Sequence, residues 1–323
     1  MPEGPEVRRY ADLIDAALRD RPLTQLSART KRARVWLAEH ESKLIGRKVI
    51  EIRAYGKNLL GRIEGDEKGD FYFYSHLMMW GRWQISPSSP HEPIPVDRRE
   101  RARIANAEST AVLWSAPIFE IGQGNPFDLF PGLAALGPDT LPYPERNWDE
   151  TAFLSSLQEA QNGEREIGAA LLDQSLLAGI GNYLRAEILY QCRLDPWRKI
   201  GDLTSENLRD LNREIPRVTR AAYDNGGATV PENQRQRMRD EPNLVYAPGR
   251  DWGTRHAVFR RTNLPCLRCG DTVHQRRQTT RVLDDEEKTR IIYFCPTCQN
   301  VAALPPKPKN ARPKKPLLRQ NSE

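Results

Sequence analysis

Four of the chain's five cysteines form two Cys-x2-Cys pairs, Cys266/Cys269 and Cys295/Cys298, with 25 residues between them. Thiolates at that spacing are the donor set of one closed, structural Zn²⁺ site. The stretches 272–282 and 290–294 read as two strands, so the pairs sit at the base of a β-hairpin with too little core to fold without metal. The fifth thiol, Cys192, lies in an apolar helical stretch and reads as a core residue. The opposite end offers a different chemistry. Met1 precedes a small residue, so its removal would leave Pro2 with a free secondary amine. An α-amino group titrates near ~7.7–8, so a useful fraction is neutral at cellular pH. Such an amine can attack an electrophilic carbon, for instance C1′ of a sugar, and form an iminium. Glu3 stands beside it as a proton donor or acceptor. The same residues also suit a plain lead-in to a helix.

A third candidate lies in LLAGIGNYLRAEIL, where one helix ends, Gly179 and Gly181 make a turn and a new helix starts with Asn182 as its cap. The free N–H groups and positive dipole end of such a helix can receive a phosphate, with Asn182 adding a side-chain donor. A purely structural turn fits the segment as well.

These groups need a scaffold. Residues 5–18 predict a helix, with Val7, Tyr10, Ala11, Ile14 and Leu18 on one face. Candidate strands at 48–54, 59–64, 71–76, 82–86 and 111–115 make residues 23–120 β-rich, with 87–103 as an exposed, Pro-rich and then charged loop. Helices are expected at 149–160, 166–178, 183–191 and 205–215, the last ended or kinked by Pro216. Segment 220–255 carries no clear pattern. The expected division is a catalytic β-sandwich domain over 1–136, a linker over 137–150, a helical domain over 151–258, a zinc hairpin over 259–302 and a disordered basic tail over 303–323. The fold class is thus multi-domain α and β.

Composition sets the outer bounds. With 323 residues, two domains and an appendage are expected. A content of 38% hydrophobic and 28% charged residues is ample for real cores. No apolar run approaches the ~18–20 residues of a membrane helix. The opening MPEGPEVRR lacks the basic and apolar stretches of a secretory signal, which favours metal over disulfides for the thiols. The net charge is +6, yet 305–323 holds six basic residues and one acid, leaving +1 for the rest. Nucleic-acid binding by the folded part must therefore rest on local clusters.

MPEGPEVRR, LLDQSLLAGIGNYLRAEIL and the double Cys-x2-Cys together resemble the formamidopyrimidine-DNA glycosylase / endonuclease VIII family over about residues 1–300, closest to endonuclease VIII. The resemblance implies an N-terminal β-sandwich with flanking helices, a helix–two-turns–helix domain and a C-terminal zinc β-hairpin. It implies a bifunctional DNA glycosylase and abasic-site lyase acting on damaged DNA in base-excision repair. Pro2 would be the catalytic amine, Glu3 its acid/base partner and Lys57 the lysine near the reacting sugar and phosphate. Asn182 and Arg290 would bind DNA phosphates, and one structural Zn²⁺ would be the only cofactor. In YSHLMMWGRW, Met78, Met79 and Trp80 fall where the family inserts side chains into the base stack. Three large apolar residues at a turn are costly to expose unless something covers them.

Endonuclease VIII implies oxidised pyrimidines as substrates; preference for 8-oxoguanine or formamidopyrimidine lesions is the nearest alternative. A non-catalytic damaged-DNA binder and an RNA-binding protein are the other readings, and neither needs Pro2, Glu3 and Lys57. A monomer, cytoplasmic and nucleoid-associated through DNA, is expected. Three features depart from the family: the acidic insert VLDDEEK at 282–288, which leaves Arg281 as an alternative to Arg290; the long 220–255 segment; and the tail, which would either attract DNA or only aid solubility.

Overall fold

The computed structural model describes residues 2–88, 97–247, 249–283 and 286–301. The tail expected to be disordered, 303–323, lies outside them, as do residues 89–96 of the loop expected over 87–103. Helix α1 (Gly4–Leu18) opens the chain, and strand β1 (Gln25–Ala28) leads into helix α2 (Lys31–Leu44). Strands β2 (Val49–Tyr55), β3 (Asn58–Asp66), β4 (Gly69–His76), β5 (Arg82–Pro87), β6 (Glu100–Ala105), β7 (Ser109–Trp114) and β8 (Ile118–Gln123) follow. They form two antiparallel four-stranded sheets, ordered β1-β6-β7-β5 and β2-β3-β4-β8. Period-two alternation fills the space between them: Phe71, Phe73 and Ser75 of β4 point inward and Tyr72, Tyr74 and His76 do not. Val7, Ile14 and Leu18 of α1 enter the same core.

Two short helices, α3 (Pro126–Leu129) and α4 (Pro131–Ala134), cover a small satellite cluster around Leu60. The second core is helical. It gathers α5 (Glu150–Gln158), α6 (Ile167–Ala170), α7 (Asn182–Gln191) and α8 (Ser205–Asp224), with α9 (Glu232–Asp240) at its edge. Strands β9 (His274–Leu283) and β10 (Glu286–Phe294) make an antiparallel hairpin whose Ile292, with the adjoining Cys295, joins that core. Among the described residues no helix is long and apolar enough to cross a membrane.

Four sequence expectations change. The charged stretch ending the supposed loop 87–103 contains β6, because Arg103 and Glu100 neutralise each other in a buried two-pronged pair at 3.0 and 2.7 Å. Residues 31–44, placed in a β-rich region, form α2; only Ala33, Leu37 and Leu44 are buried, too thin a stripe to read. The helix expected over 166–178 is a single turn, since the Asp173 carboxylate takes the Ser175 N–H and hydroxyl and folds the chain into turns. Helix α8 runs through Pro216 to Asp224, because Leu211, Ile215, Val218 and Ala222 keep one face buried on both sides of it.

Candidate active site

The N-terminus is bound into the helical domain by a carboxylate. Glu3 is 1% exposed, and its oxygens accept the backbone N–H groups of Gly181 at 2.7 Å, Tyr183 at 2.8 Å and Leu184 at 3.2 Å. These are the free donors at the start of α7, so Glu3 caps that helix from another part of the chain. The helix cap is therefore not the Asn182 side chain: Gly181 holds the cap position and Asn182 is the first helical residue. A Cβ at 181 would overlap the Glu3 carboxyl group, so any other residue there must displace that side chain. The Gly4 N–H also donates to the Gly179 carbonyl at 2.9 Å, and Gly179 sits at φ +108°, where other residues are strained. Burial pushes the Glu3 carboxyl up to about 7, against the pull of Lys57 and of the Tyr183 and Leu184 N–H groups.

Lys57 follows Gly56 in the tight turn between β2 and β3, and its ammonium donates to the Ile180 carbonyl. Burial lowers its pKa; Glu3 opposes that shift and Arg290 adds to it. Pro2, Glu3, Lys57, Asn182 and Arg290 all line one cavity of about 710 Å³. Arg290 lies opposite Gln278 in the hairpin, past a register shift at Lys288/Thr289. Arg281, opposite Lys288, faces a separate groove of about 970 Å³ that Arg290 also borders. The hairpin is longer than the sequence suggested, because 286–289 pair with β9.

Arg185 ties these parts together. It is 0% exposed, and its guanidinium donates to Asn182 Oδ1 at 2.7 Å, Gly168 O at 3.0 Å, Gln278 Oε1 at 3.2 Å and Ile291 O at 2.9 Å. Engaging the amide oxygen of Asn182 leaves its NH₂ as the available donor toward the cavity. Burial lowers the Arg185 pKa to about 9, with Glu3 opposing. Sequence reading missed Arg185, although a charged residue within an apolar helix was its visible signal. Glu6 was missed too; it accepts the Glu3 N–H at 2.8 Å and the Tyr183 hydroxyl at 3.0 Å. The E-x-x-E spacing of a capping box was the clue there. His256, against the Tyr183 ring at 4.9 Å, lines the same cavity and is kept neutral by burial, its pKa lowered to about 4.

Met78, Met79 and Trp80 form the turn between β4 and β5 and are 45%, 55% and 78% exposed. Leu77 and Gly81 anchor the turn, the Gly81 N–H donating to the Leu77 carbonyl at 2.8 Å. Met78 takes φ 53°, and its N–H donates to His76 Nδ1 at 3.1 Å. Of the three, Met79 reaches the cavity lining.

The Sγ atoms of Cys266, Cys269, Cys295 and Cys298 all lie within 4.8 Å of one another. Cys266 and Cys298 are 3.8 Å apart and Cys269 and Cys295 3.5 Å, near the ~3.8 Å edge of a tetrahedron with ~2.3 Å metal–sulfur bonds. The N–H groups of Arg268 and Cys298 each point at a cysteine sulfur at 3.4 Å, which supports thiolate charge. The group fits one metal ion. Cys192 stands apart, buried, with its thiol pKa pushed up by burial.

Comparison with known proteins gives the family. Residues 1–114 match the formamidopyrimidine-DNA glycosylase N-terminal domain, and residues 136–233 match the formamidopyrimidine-DNA glycosylase H2TH domain. The fold and these matches define a DNA-repair glycosylase. The chain belongs to the formamidopyrimidine-DNA glycosylase family. It is 31% identical over 305 residues to Endonuclease 8 of Escherichia coli (strain K12 / DH10B), covering 93% of this chain and 100% of that protein. Endonuclease 8 of Enterobacter sp. (strain 638) is 30% identical over 304 residues, with 93% and 100% covered. In fold it is similar to the Lactococcus lactis Fpg in complex with DNA containing an abasic site, with TM-score 0.68, 20% identity and 92% and 99% of the two chains covered. The same Fpg with DNA containing an oxidised pyrimidine gives TM-score 0.66 at 21% identity, with 92% and 99% covered.

Gly181→Ala is expected to push the Glu3 carboxylate off the start of α7. The loss should be about 2–3 kcal/mol of unfolding free energy, the scale for buried polar groups that lose their partners. Urea denaturation measures it; a change under about 0.5 kcal/mol would rule out the cap as a strong interaction.

Proposed function

We propose that the protein is a bifunctional DNA glycosylase and abasic-site lyase that removes oxidised bases, preferentially pyrimidines, through the amine of Pro2. The observation that carries this reading is the convergence of Pro2, Glu3, Lys57, Asn182 and Arg290 on one cavity. With Met1 removed, the Pro2 nitrogen attacks C1′ of the damaged nucleotide. The C1′–base bond breaks and the base leaves with the electron pair and a proton. The C1′–O4′ bond then opens, O4′ taking a proton from the Glu3 carboxyl, and the C1′ iminium that results acidifies the C2′ proton. Its removal expels the 3′ phosphate, and a second elimination expels the 5′ phosphate. Water then hydrolyses the iminium and restores the amine. Glu3 moves the proton at the sugar, its carboxyl being protonated over part of the physiological range. Lys57, Asn182 and Arg290 hold the phosphates flanking the lesion, which positions the strand without reading sequence. Met78, Met79 and Trp80 fill the stack vacated by the extruded base. The pyrimidine preference follows MPEGPE and the contiguous apolar turn, both closer to endonuclease VIII than to the 8-oxoguanine branch. The four cysteines hold one structural Zn²⁺ that keeps the hairpin, and so Arg290, in place.

Borohydride trapping on duplexes carrying thymine glycol or 8-oxoguanine tests the chemistry. A covalent adduct on thymine glycol is expected, at least tenfold weaker in Pro2→Gly. An adduct chiefly on 8-oxoguanine would move the substrate to purine lesions, and tight abasic-site binding without any adduct would make the protein a binder.

The pH profile has a definite sign. A free glutamic acid ionises near 4.5 and Glu3 near 7, so the folded state holds the extra proton between those values. Its contribution to stability is present below 4.5 and lost as pH rises to about 7. Single-turnover excision should accordingly decline above about 7 in the wild type. Glu3→Gln should lose that limb and run roughly 10²-fold slower or worse; an unchanged limb would assign it to another group.

Metal analysis of the purified protein should give one zinc per chain, and Cys298→Ala should lose it together with hydrogen-exchange protection across β9 and β10. Protection retained without metal would dismiss a structural ion.

A further inference from the structure

The end of the β-sandwich that carries the Met78–Trp80 turn also carries a basic cluster that the proposed site does not use. Strand order fixes its place. In the sheet β2-β3-β4-β8, the turn holding Lys57 adjoins His76 through the Asn58–His76 pair, and His76 pairs with Ile118 at the start of β8. The start of α2 is fastened there: Thr30 Oγ1 donates to the Phe119 carbonyl at 2.6 Å, and Arg32 pairs with Glu120 at 3.0 Å. The other sheet delivers its own arginines to the same end. The Arg29 N–H donates to the Arg101 carbonyl, and the Ser115 N–H to the Arg99 carbonyl, just beyond the Arg82–Trp114 pair. Arg29, Lys31, Arg32, Arg34, Arg98 and Arg99 are all exposed. Among the described residues the acids beside them, Asp97 and Glu120, are already held by Arg99 and Arg32. Among the described residues Lys31, Arg34 and Arg98 have no ion-pair partner and stand as surplus charge in a chain whose first 304 residues sum to only +1.

The cluster therefore lies across the apolar turn from the catalytic cavity, and none of its six residues lines that cavity. Strand β3 and strand β8 are two strand spacings apart, about 10 Å, with α2 beyond. That offset is on the scale of a B-DNA groove, ~6 Å for the minor and ~12 Å for the major. If side chains of 78–80 enter the stack, the strand held at Lys57, Asn182 and Arg290 is on one side of them and its complement on the other. We infer that Lys31, Arg34 and Arg98, with the arginines around them, bind backbone phosphates of the strand opposite the lesion. The inference rests on the proposed glycosylase reading.

The test is fluorescence anisotropy with a tetrahydrofuran abasic-site analogue, offered on one labelled strand alone and in a duplex, over a series of salt concentrations. The triple variant Lys31→Ala, Arg34→Ala, Arg98→Ala is compared with the wild type, and its melting temperature checks that it folds. The duplex dissociation constant should rise at least tenfold, and the slope of log K against log salt should fall by about 0.9 for each phosphate no longer neutralised. Single-strand binding should change less than about twofold. Equal losses on both substrates, or no loss on either, would overturn the inference. A second variant, Lys31→Glu with Arg98→Glu, should deepen the duplex-specific loss; if it does not, the surface does not face DNA. Wild-type protein that neither binds nor excises would instead defeat the glycosylase reading itself.

Discussion

A single carboxylate joins the two halves of this molecule. Glu3 leaves the β-sandwich domain through the first turn of α1 and satisfies three N–H groups at the start of α7, up to 181 residues away in sequence. Those donors cannot be met within the helix, and their dipole favours a negative partner. Because Glu3 is adjacent to Pro2, the carboxylate that fastens the domains also fixes the N-terminus at the cavity. Close backbone approach then follows. Gly4 lies against Gly179, and Gly56 against Ala178 and Gly179, each at a distance that leaves no room for a Cβ to sit freely. Asp139 reinforces the seam by accepting the Gly56 and Leu141 N–H groups, both at 2.9 Å.

Arg185 performs the matching task on the other side of α7. Its guanidinium spans the first turn of the helix, the turn at Gly168 and the hairpin. Glu187, two residues on, is equally buried and accepts the N–H groups of Ala257, Val258 and Phe259 at 2.8–2.9 Å. A ten-residue helix thereby holds the N-terminus, the hairpin and the segment bearing His256 in one register. Buried charges of this kind are costly unless every donor and acceptor is met, and here nearly all are.

Much of the fold was legible because its signals are local. Short runs bounded by Gly, Pro, Asp or charged turns exposed five of the eight sandwich strands, and the Cys-x2-Cys spacing exposed the hairpin. What stayed hidden depended on distant partners. The stretch RRERAR reads as a solvated loop until Glu100 and Arg103 are seen to neutralise each other. The run 166–178 is apolar enough for a long helix, and only the Asp173–Ser175 turn shows why it stops. Asn182 looked like the cap of its own helix because a sequence shows only neighbours, whereas the cap comes from Glu3. The cluster at the start of α2 was obscured in the same way, since its residues come from separate stretches of chain.

The cavity's charge balance explains why these attachments must be so firm. Lys57 and Arg185 interact with Glu3, and Arg290 with both of those cations, while burial keeps His256 uncharged. The cations disfavour one another: Arg290 lowers the pKa of both Lys57 and Arg185. An anion entering the cavity relieves that repulsion while gaining charge-assisted hydrogen bonds. Rigid attachment of α7, the β2–β3 turn and the hairpin prevents the cations from relieving it themselves by spreading apart. Their separation is therefore set by packing elsewhere in the molecule, which is how a site can be complementary to a ligand before the ligand arrives.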